Sequence, residues 1–133
     1  MTAGHGWLLD ANVIREFRPG GHANVAAWRA GVPAAELRLS AITVLELRRG
    51  FERLKARDPA RAARGLTALD ALAADFADRI VPVDAAVAAE WARLLGGKDK
   101  DRLDVALAAT ARVRGLVVVT RNVRDFRGRV PTR

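Results

Sequence analysis

The chain has 133 residues, which fits one domain, and half of them are apolar, enough for a hydrophobic core. It has no cysteine, which excludes disulfides and thiolate chemistry, and no apolar run approaches the roughly 20 residues of a membrane span. The net charge of +8, from 23 Lys and Arg against 15 Asp and Glu, suits a polyanionic partner, although a coding bias toward Ala and Arg explains it equally well. We therefore expect a cytoplasmic protein that does not associate with membranes.

The apolar pattern predicts strands that alternate with helices along the chain. Short continuous apolar runs such as "WLL" and "LVVV" are typical of central strands that are covered on both faces. Pro and Gly residues mark where several of the helices begin and end. The predicted strands are residues 7–9, 37–42, 80–83 and 116–120. The predicted helices are a short one after residue 10, then residues 22–30, 43–57, 59–79, 84–96 and 101–114.

This alternation predicts an α/β layer fold with a mostly parallel sheet. In such sheets ligands bind beyond the carboxyl ends of the strands, near a switch in strand order. Asp10 directly follows the first strand, so its carboxylate can stand at the edge of the core and face a cleft. Asn122 and Asp125 follow the last strand, and they emerge at the same edge if that strand is a neighbour of the first.

Two further acids lie within helical patterns, close to where each helix begins. Glu46 lies in "AITVLELRRG" and Asp104 in "DRLDVALAATA", and helix N-termini favour negative charge. Each acid also has an ordinary structural interpretation. An early helical Asp is usually a cap, which is the interpretation we favour for Asp101, and a Glu beside arginines is usually solvated. Asp125, before Phe126, can be an ordinary turn residue.

The residue types present favour metal chemistry over nucleophilic catalysis. Ser40 is the only serine, and His5 and His22 are the only histidines, so the chain offers few residues that could form a Ser-His-Asp triad. Carboxylates gathered in one cleft repel one another unless they share protons or a cation balances them. Oxygen ligands favour Mg²⁺ or Mn²⁺, which can neutralise a phosphodiester and lower the pKa of water. Together with the arginine-rich body, this points to metal-dependent phosphodiester hydrolysis.

Four stretches carry a family resemblance: "LLDANVI", "LSAITVLELRRG", "DVALAATA" and "LVVVTRNVRDF". In this order they span nearly the whole chain, and together they resemble the PIN-domain ribonucleases, specifically the VapC/FitB-like toxins of bacterial type II toxin–antitoxin pairs. The resemblance implies one PIN domain over residues 1–133, a three-layer α/β/α sandwich with a central, mostly parallel sheet of four to five strands. It also implies an acidic metal pocket and an endoribonuclease that leaves a 5′-phosphate and a 3′-hydroxyl.

The resemblance assigns roles to individual residues. Asp10, Glu46 and Asp104 match the first three family acids, and Asn12 matches the polar residue that supports the first. The implied arrangement is that Asp10 and Asp104 bind Mg²⁺ or Mn²⁺ and that Glu46 joins them directly or through water.

The fourth motif departs from the family pattern. Thr120 is in place, but Asn122 stands where many members have Asp, and Asp125, three residues on, is a candidate to share its role. These residues would orient water or support the acids. Because Asn adds no charge, the number of metal ions stays open at one or two. The short ending "GRVPTR" also leaves open whether a fifth strand exists.

Partners follow from the charge and from the resemblance. Arg48, Arg49, Arg121 and Arg124 flank the motifs and are candidates for contact with the RNA backbone, with ordinary surface arginine as the competing interpretation. The resemblance implies a small antitoxin that lies over the cleft and the helix at 43–57, a homodimer or a hetero-oligomer with that antitoxin, and operator DNA bound only through the complex. The alternative functions are a non-cleaving nucleic-acid-binding module and a subunit of a repressor complex.

Overall fold

The computed structural model describes residues 6–98 and 102–126, except for the side chain of Asp125. In the described ranges the strands are β1 (Trp7–Leu9), β2 (Leu37–Ser40), β3 (Ile80–Val81) and β4 (Val117–Val119). They form one parallel sheet in the order β3-β2-β1-β4, so the condition for Asp10 and Asn122 to emerge at one edge is met: the first and last strands are neighbours.

Helices connect the strands, as parallel pairing requires. None of the helices in the described ranges combines the length and apolar content needed to cross a membrane. The helices are α1 (Ala11–Ile14), α2 (Ala23–Ala30), α3 (Ala41–Leu54), α4 (Pro59–Asp75), α5 (Ala85–Leu95) and α6 (Leu103–Arg114).

The predicted boundaries are wrong by two residues at two strands, and the strand predicted at 116–120 is one residue shorter at each end. The strand predicted at 37–42 ends at Ser40, because the Ser40 hydroxyl accepts a 2.9 Å hydrogen bond from the amide of Ile42 and caps α3. The strand predicted at 80–83 ends at Val81, before Pro82, which has no amide hydrogen to donate to a sheet.

Three helices also differ from the prediction by two residues or more. The helix predicted at 43–57 spans Ala41–Leu54. The helix predicted through residue 79 ends at Asp75, and a short 3-10 turn, Ala77–Arg79, follows the buried side chain of Phe76. The helix predicted from residue 101 begins at Leu103. Asp101 lies outside the described residues, as does the segment after Phe126 in which a fifth strand was left open.

Two hydrophobic clusters cover the two faces of the sheet. Successive strand residues point to opposite faces, so Leu9 packs in one cluster with Leu47 of α3 and Leu69 of α4. Leu8 packs in the other cluster with Leu107 of α6. Helices therefore lie on both faces, and the predicted three-layer α/β/α sandwich is confirmed.

Candidate active site

A cleft of about 170 Å³ opens at the carboxyl ends of β1 and β4, beside α3 and the first turn of α6. It brings together five of the side chains that the sequence singled out. These are Asp10, Asn12, Glu46, Asp104 and Asn122. The rest of the lining consists of Arg15, Ile42, Thr43, Leu103, Leu107 and Phe126.

Asp10 is fixed by two hydrogen bonds at the point where β1 passes into α1. Its Oδ1 accepts from the backbone amide of Ala11 at 2.7 Å, and its Oδ2 accepts from the hydroxyl of Thr120 at 2.8 Å. Burial nevertheless raises the pKa of Asp10, with a further contribution from the charge of Asp104, against the lowering effect of these hydrogen bonds and of Arg15. The carboxylate is therefore held in one orientation, at a cost in electrostatic free energy.

Thr120 joins the ends of the neighbouring strands β1 and β4. Besides donating to Asp10, its buried hydroxyl accepts from the side-chain amide of Asn12 at 3.3 Å and from the backbone amide of Asn122 at 2.9 Å. The side-chain oxygen of Asn12 accepts in turn from the backbone amide of Arg121 at 3.1 Å. Thr120 and Asn12 thus lie where a supporting role for Asp10 requires them.

Glu46 enters the cleft from α3. Thr43, which is buried three residues earlier, donates a 3.1 Å hydrogen bond to the carbonyl of Leu9, and this fixes α3 against the end of β1. Burial raises the pKa of Glu46, and the nearby charge of Asp10 raises it further. Glu46 is the sixth residue of α3. The dipole effect falls off within the first turn, so the helix N-terminus stabilises this charge less than the sequence predicted.

Asp104 is the second residue of α6 and forms a bidentate ion pair. Arg102 donates from Nε to Oδ1 at 3.2 Å and from Nη2 to Oδ2 at 2.6 Å. The buried face of α6 carries small side chains, including Ala108 and Ala111, so the helix can lie close to the sheet. The carboxylate of Asp104 therefore lies at the cleft already paired with the guanidinium of Arg102.

Sequence reasoning missed two arginines at this site. Arg102 pairs with Asp104, and the Nη2 atom of Arg15 lies 3.8 Å from Oε2 of Glu46. In the sequence, these arginines could have been noticed only because they lie near the motifs. Arg102 lies two positions before Asp104, and Arg15 directly follows α1.

The donor set fits a hard cation that keeps part of its water shell. Within residues 6–98 and 102–126, no group of three His, Asp or Glu side chains is close enough together to hold a metal ion by itself. Mg²⁺, however, usually binds through one or two carboxylates and retains several waters. Asp10 and Asp104 could provide those carboxylates once Arg102 releases Asp104.

The two predicted RNA-contact arginines on α3 differ in their surroundings. Arg48 lies 3.6 Å from Glu52 and 3.5 Å from Asp70, so two carboxylates already neutralise its charge. Arg49 is exposed, and its charge acts on Glu46 by lowering the pKa of that carboxyl group.

The other two predicted RNA-contact arginines follow β4. Arg121 is exposed, and its Nη1 atom lies 3.4 Å from Oε2 of Glu16. Arg124 is exposed in the 3-10 turn Val123–Asp125. The side chain of Asp125, a candidate for the fourth acidic position, lies outside the described part of the structure.

Comparison with known proteins connects this site to one family. A family model described as the PIN domain matches residues 7–128. Toxin FitB from Neisseria gonorrhoeae (strain ATCC 700825 / FA 1090) is 37% identical over 125 residues, which cover 90% of this chain and 89% of FitB. Ribonuclease VapC14 from Mycobacterium tuberculosis (strain CDC 1551 / Oshkosh) is 43% identical over 54 residues, 40% of this chain and 52% of VapC14.

Solved structures agree over the full fold. The crystal structure of FitAcB from Neisseria gonorrhoeae matches with a TM-score of 0.80 and 35% identity, covering 95% of each chain. The structure of FitAB bound to the IR36 DNA fragment matches with a TM-score of 0.70 and 34% identity, covering 96% of this chain and 93% of the other. The resemblance carried by the four sequence motifs is confirmed, and the chain belongs to the PIN domain family.

Proposed function

We propose that this chain is the toxin of a type II toxin–antitoxin pair and acts as a metal-dependent endoribonuclease. The observation that carries the proposal is that Asp10, Glu46 and Asp104 line one small cleft at the carboxyl edge of a parallel sheet. The charge of Asp10 raises the pKa of Glu46, and that of Asp104 raises the pKa of both other groups. Such mutual repulsion is typical of a site built for a cation and a reacting substrate. The similarity to the toxin FitB and the ribonuclease VapC14 supports the same function.

Each residue of the cleft would have a separate role in the hydrolysis of a phosphodiester bond. Asp10, held by Ala11 and Thr120, supplies a carboxylate of fixed direction. Mg²⁺ or Mn²⁺, when bound by Asp10 and Asp104, would offset the charge of the phosphate and lower the pKa of the attacking water. Glu46, on the wall of the same cleft, would accept a hydrogen bond from the attacking water. Asn122 can orient that water through its amide without adding charge.

We propose one metal ion as the minimum for this site. Three carboxylates face a cleft that Arg15 and Arg102 also approach, so its negative charge is already partly balanced. Asn122 replaces a carboxylate by a neutral amide at the fourth position, which further weakens the attraction for a second ion.

The proposed macromolecular partners are an RNA substrate and a small antitoxin. An open groove of about 700 Å³ between the end of α1, α3 and α4 is lined by Phe51, Leu54 and several arginines. An acidic amphipathic segment of the antitoxin would fit this surface. We further propose a single domain over residues 1–133, a cytoplasmic location, and a homodimer that joins the antitoxin. Operator DNA would be contacted only through that complex, as the DNA-bound FitAB structure suggests.

Induced expression in a bacterial host tests this function. Wild type should arrest growth and produce new RNA 5′ ends, whereas Asp10→Ala should do neither. Co-expression of a small protein encoded directly upstream should restore growth. RNA bound by the wild-type protein without new ends would instead support the non-cleaving alternative, which the pairing of Arg102 with both oxygens of Asp104 favours.

A further inference from the structure

A second concavity of about 320 Å³ adjoins the acidic cleft. Thr120 and Arg121 line it, and Thr120 is hydrogen-bonded to Asp10 and Asn12, which line the cleft. An RNA strand bound at the acidic cleft could therefore place its neighbouring nucleotide in this second concavity, here called the α2 groove. Its volume falls within the roughly 300–1,000 Å³ that small-molecule sites occupy, whereas the acidic cleft has room for little more than a phosphate and its ions.

The α2 groove has an apolar wall and a polar rim. Val25 and Trp28 of α2 and Val119 of β4 form the wall. Trp28 is half-buried, and its ring packs edge-on against Trp7 with 5.7 Å between centroids, which fixes its position. A flat aromatic ring held in an open, apolar groove is the feature on which unpaired nucleobases stack.

The rim carries hydrogen-bonding groups, and Glu16 contacts two of the residues that supply them. Oε1 of Glu16 accepts a 2.8 Å hydrogen bond from the backbone amide of His22, and Oε2 lies 3.4 Å from Nη1 of Arg121. Nδ1 of His22 accepts from the backbone amide of Asn24 at 3.2 Å, which leaves Nε2–H as the donor of the neutral ring. His22, Asn24 and Arg121 thus offer a ring donor, an amide and a guanidinium around one opening.

We propose that the α2 groove binds the nucleobase adjoining the scissile phosphate, with the base stacked on Trp28. This rests on the proposed ribonuclease function and deepens it, because it names an unpaired base as part of what the site recognises. The rim groups can bond the edge of the base. Arg121 lines the groove and stands in the chain between Thr120, which also lines the groove, and Asn122, which lines the cleft, so its guanidinium can reach the connecting phosphate. Single-stranded RNA is the substrate form that can splay a base into such a groove.

Binding measured in chelator tests this subsite without cleavage. The full chain is titrated with a short fluorescein-labelled single-stranded RNA of mixed sequence and with an abasic ribose-phosphate strand of equal length. Asn24→Phe fills the groove from an exposed position of α2, and Ala27→Phe places the same side chain on an exposed position of α2 outside the groove. Asn24→Leu takes the place of Asn24→Phe if circular dichroism shows that the larger side chain disturbs the fold.

We expect Asn24→Phe to weaken binding of the base-bearing strand by about 5- to 150-fold, the range for loss of one stacked base, and to leave the abasic strand unaffected. Ala27→Phe should change neither. Equal loss for both strands, or no loss for either, would overturn the subsite while leaving RNA binding intact. A wild-type protein that neither binds nor cuts RNA would remove the proposed function itself. Unchanged RNA binding with weakened binding of the upstream-encoded protein would assign the groove to that partner and overturn the proposal.

Discussion

The hydroxyl of Thr120 donates a 2.8 Å hydrogen bond to Oδ2 of Asp10, a residue 110 positions earlier in the chain. The same hydroxyl accepts from Asn12 and from the amide of Asn122, so one buried oxygen connects the ends of β1 and β4. Through it, the last motif of the chain sets the direction of the first acid. Support of this kind is what keeps a metal-binding carboxylate in a productive orientation.

Thr120→Val preserves the shape of this side chain and removes its hydroxyl. Asp10 and the Asn12 amide then lose a partner in a part-buried site, so we expect the free energy of unfolding to fall by about 1–3 kcal/mol. RNA cleavage should fall about 10- to 100-fold, as is usual when a residue supporting a metal ligand is lost. Thr120→Ser, which keeps the hydroxyl, is the control in urea unfolding and cleavage assays. A valine variant as active as the serine variant would show that this hydrogen bond does not matter.

Neutralising Asp10 should relieve repulsion in the metal-free protein. Burial raises the folded-state pKa of Asp10 and Glu46 above their ordinary values of 3.8 and 4.5. A raised folded-state pKa means that ionisation destabilises the fold, so this penalty is absent below the unfolded values and complete above the folded ones. Asp10→Asn should therefore melt at the same or a higher temperature than wild type at pH 7 in chelator, with a smaller difference near pH 4.

The contrary outcome for Asp10→Asn is equally specific. If Asp10 were only a helix cap, its carboxylate would be worth about 0.5–2 kcal/mol and no charge strain would be relieved. A clear drop in melting temperature at neutral pH, with an unchanged response to Mg²⁺, would remove Asp10 from the metal site.

Arg102 should compete with metal for Asp104, because it occupies both carboxylate oxygens. Arg102→Gln should lower the Mg²⁺ or Mn²⁺ concentration needed to raise the melting temperature, since a ligand that binds only the folded state stabilises it according to its affinity. Arg93→Gln is the matched control: Arg93 pairs with Glu90 on α5, which is not part of the cleft. An unchanged metal titration for Arg102→Gln would mean that Asp104 does not bind the ion.

Contact with the RNA backbone should appear in the salt dependence of binding. Replacing Arg121 and Arg124 by Gln should make the log–log slope less negative by about 1.4, from about 0.7 for each neutralised phosphate of a single strand. Arg114→Gln is the control, because Arg114 ends α6 at the opposite end from the cleft and pairs with Asp84. Fluorescence anisotropy in chelator gives both slopes. Equal slopes for the double variant and wild type would place these arginines away from the RNA.

Local chemistry explains what the sequence could predict. The apolar run before Asp10 predicted a central strand, and the position of Asp10 just past it predicted an acid at the sheet edge; the structure places Asp10 there. The end of β2 was missed because the alternation of apolar and polar residues in "LRLSAI" continues past Ser40, which is the N-cap of α3. Ser40 could have been recognised from its residue type, since Ser is a preferred N-cap.

Tertiary contacts explain what the sequence could not predict. The pairing of Arg15 with Glu46 and of Arg48 with Asp70 depends on how helices lie against each other, and residue spacing does not carry that information. The α2 groove likewise exists only because α2 packs Trp28 beside the end of β4.

Asp10 and Asp104 are proposed to hold the metal ion with which the protein cuts RNA. The most direct measurement incubates purified protein with single-stranded RNA in Mg²⁺, in Mn²⁺ and in chelator, and identifies the chemistry of the new ends. Asp84→Asn, which neutralises the cap of α5, is the control for Asp10→Asn and Asp104→Asn. We expect wild type and Asp84→Asn to cut only with metal and to leave 5′-phosphates, and the other two variants not to cut. Cleavage in chelator, or cleavage by Asp10→Asn at the wild-type rate, would contradict this account.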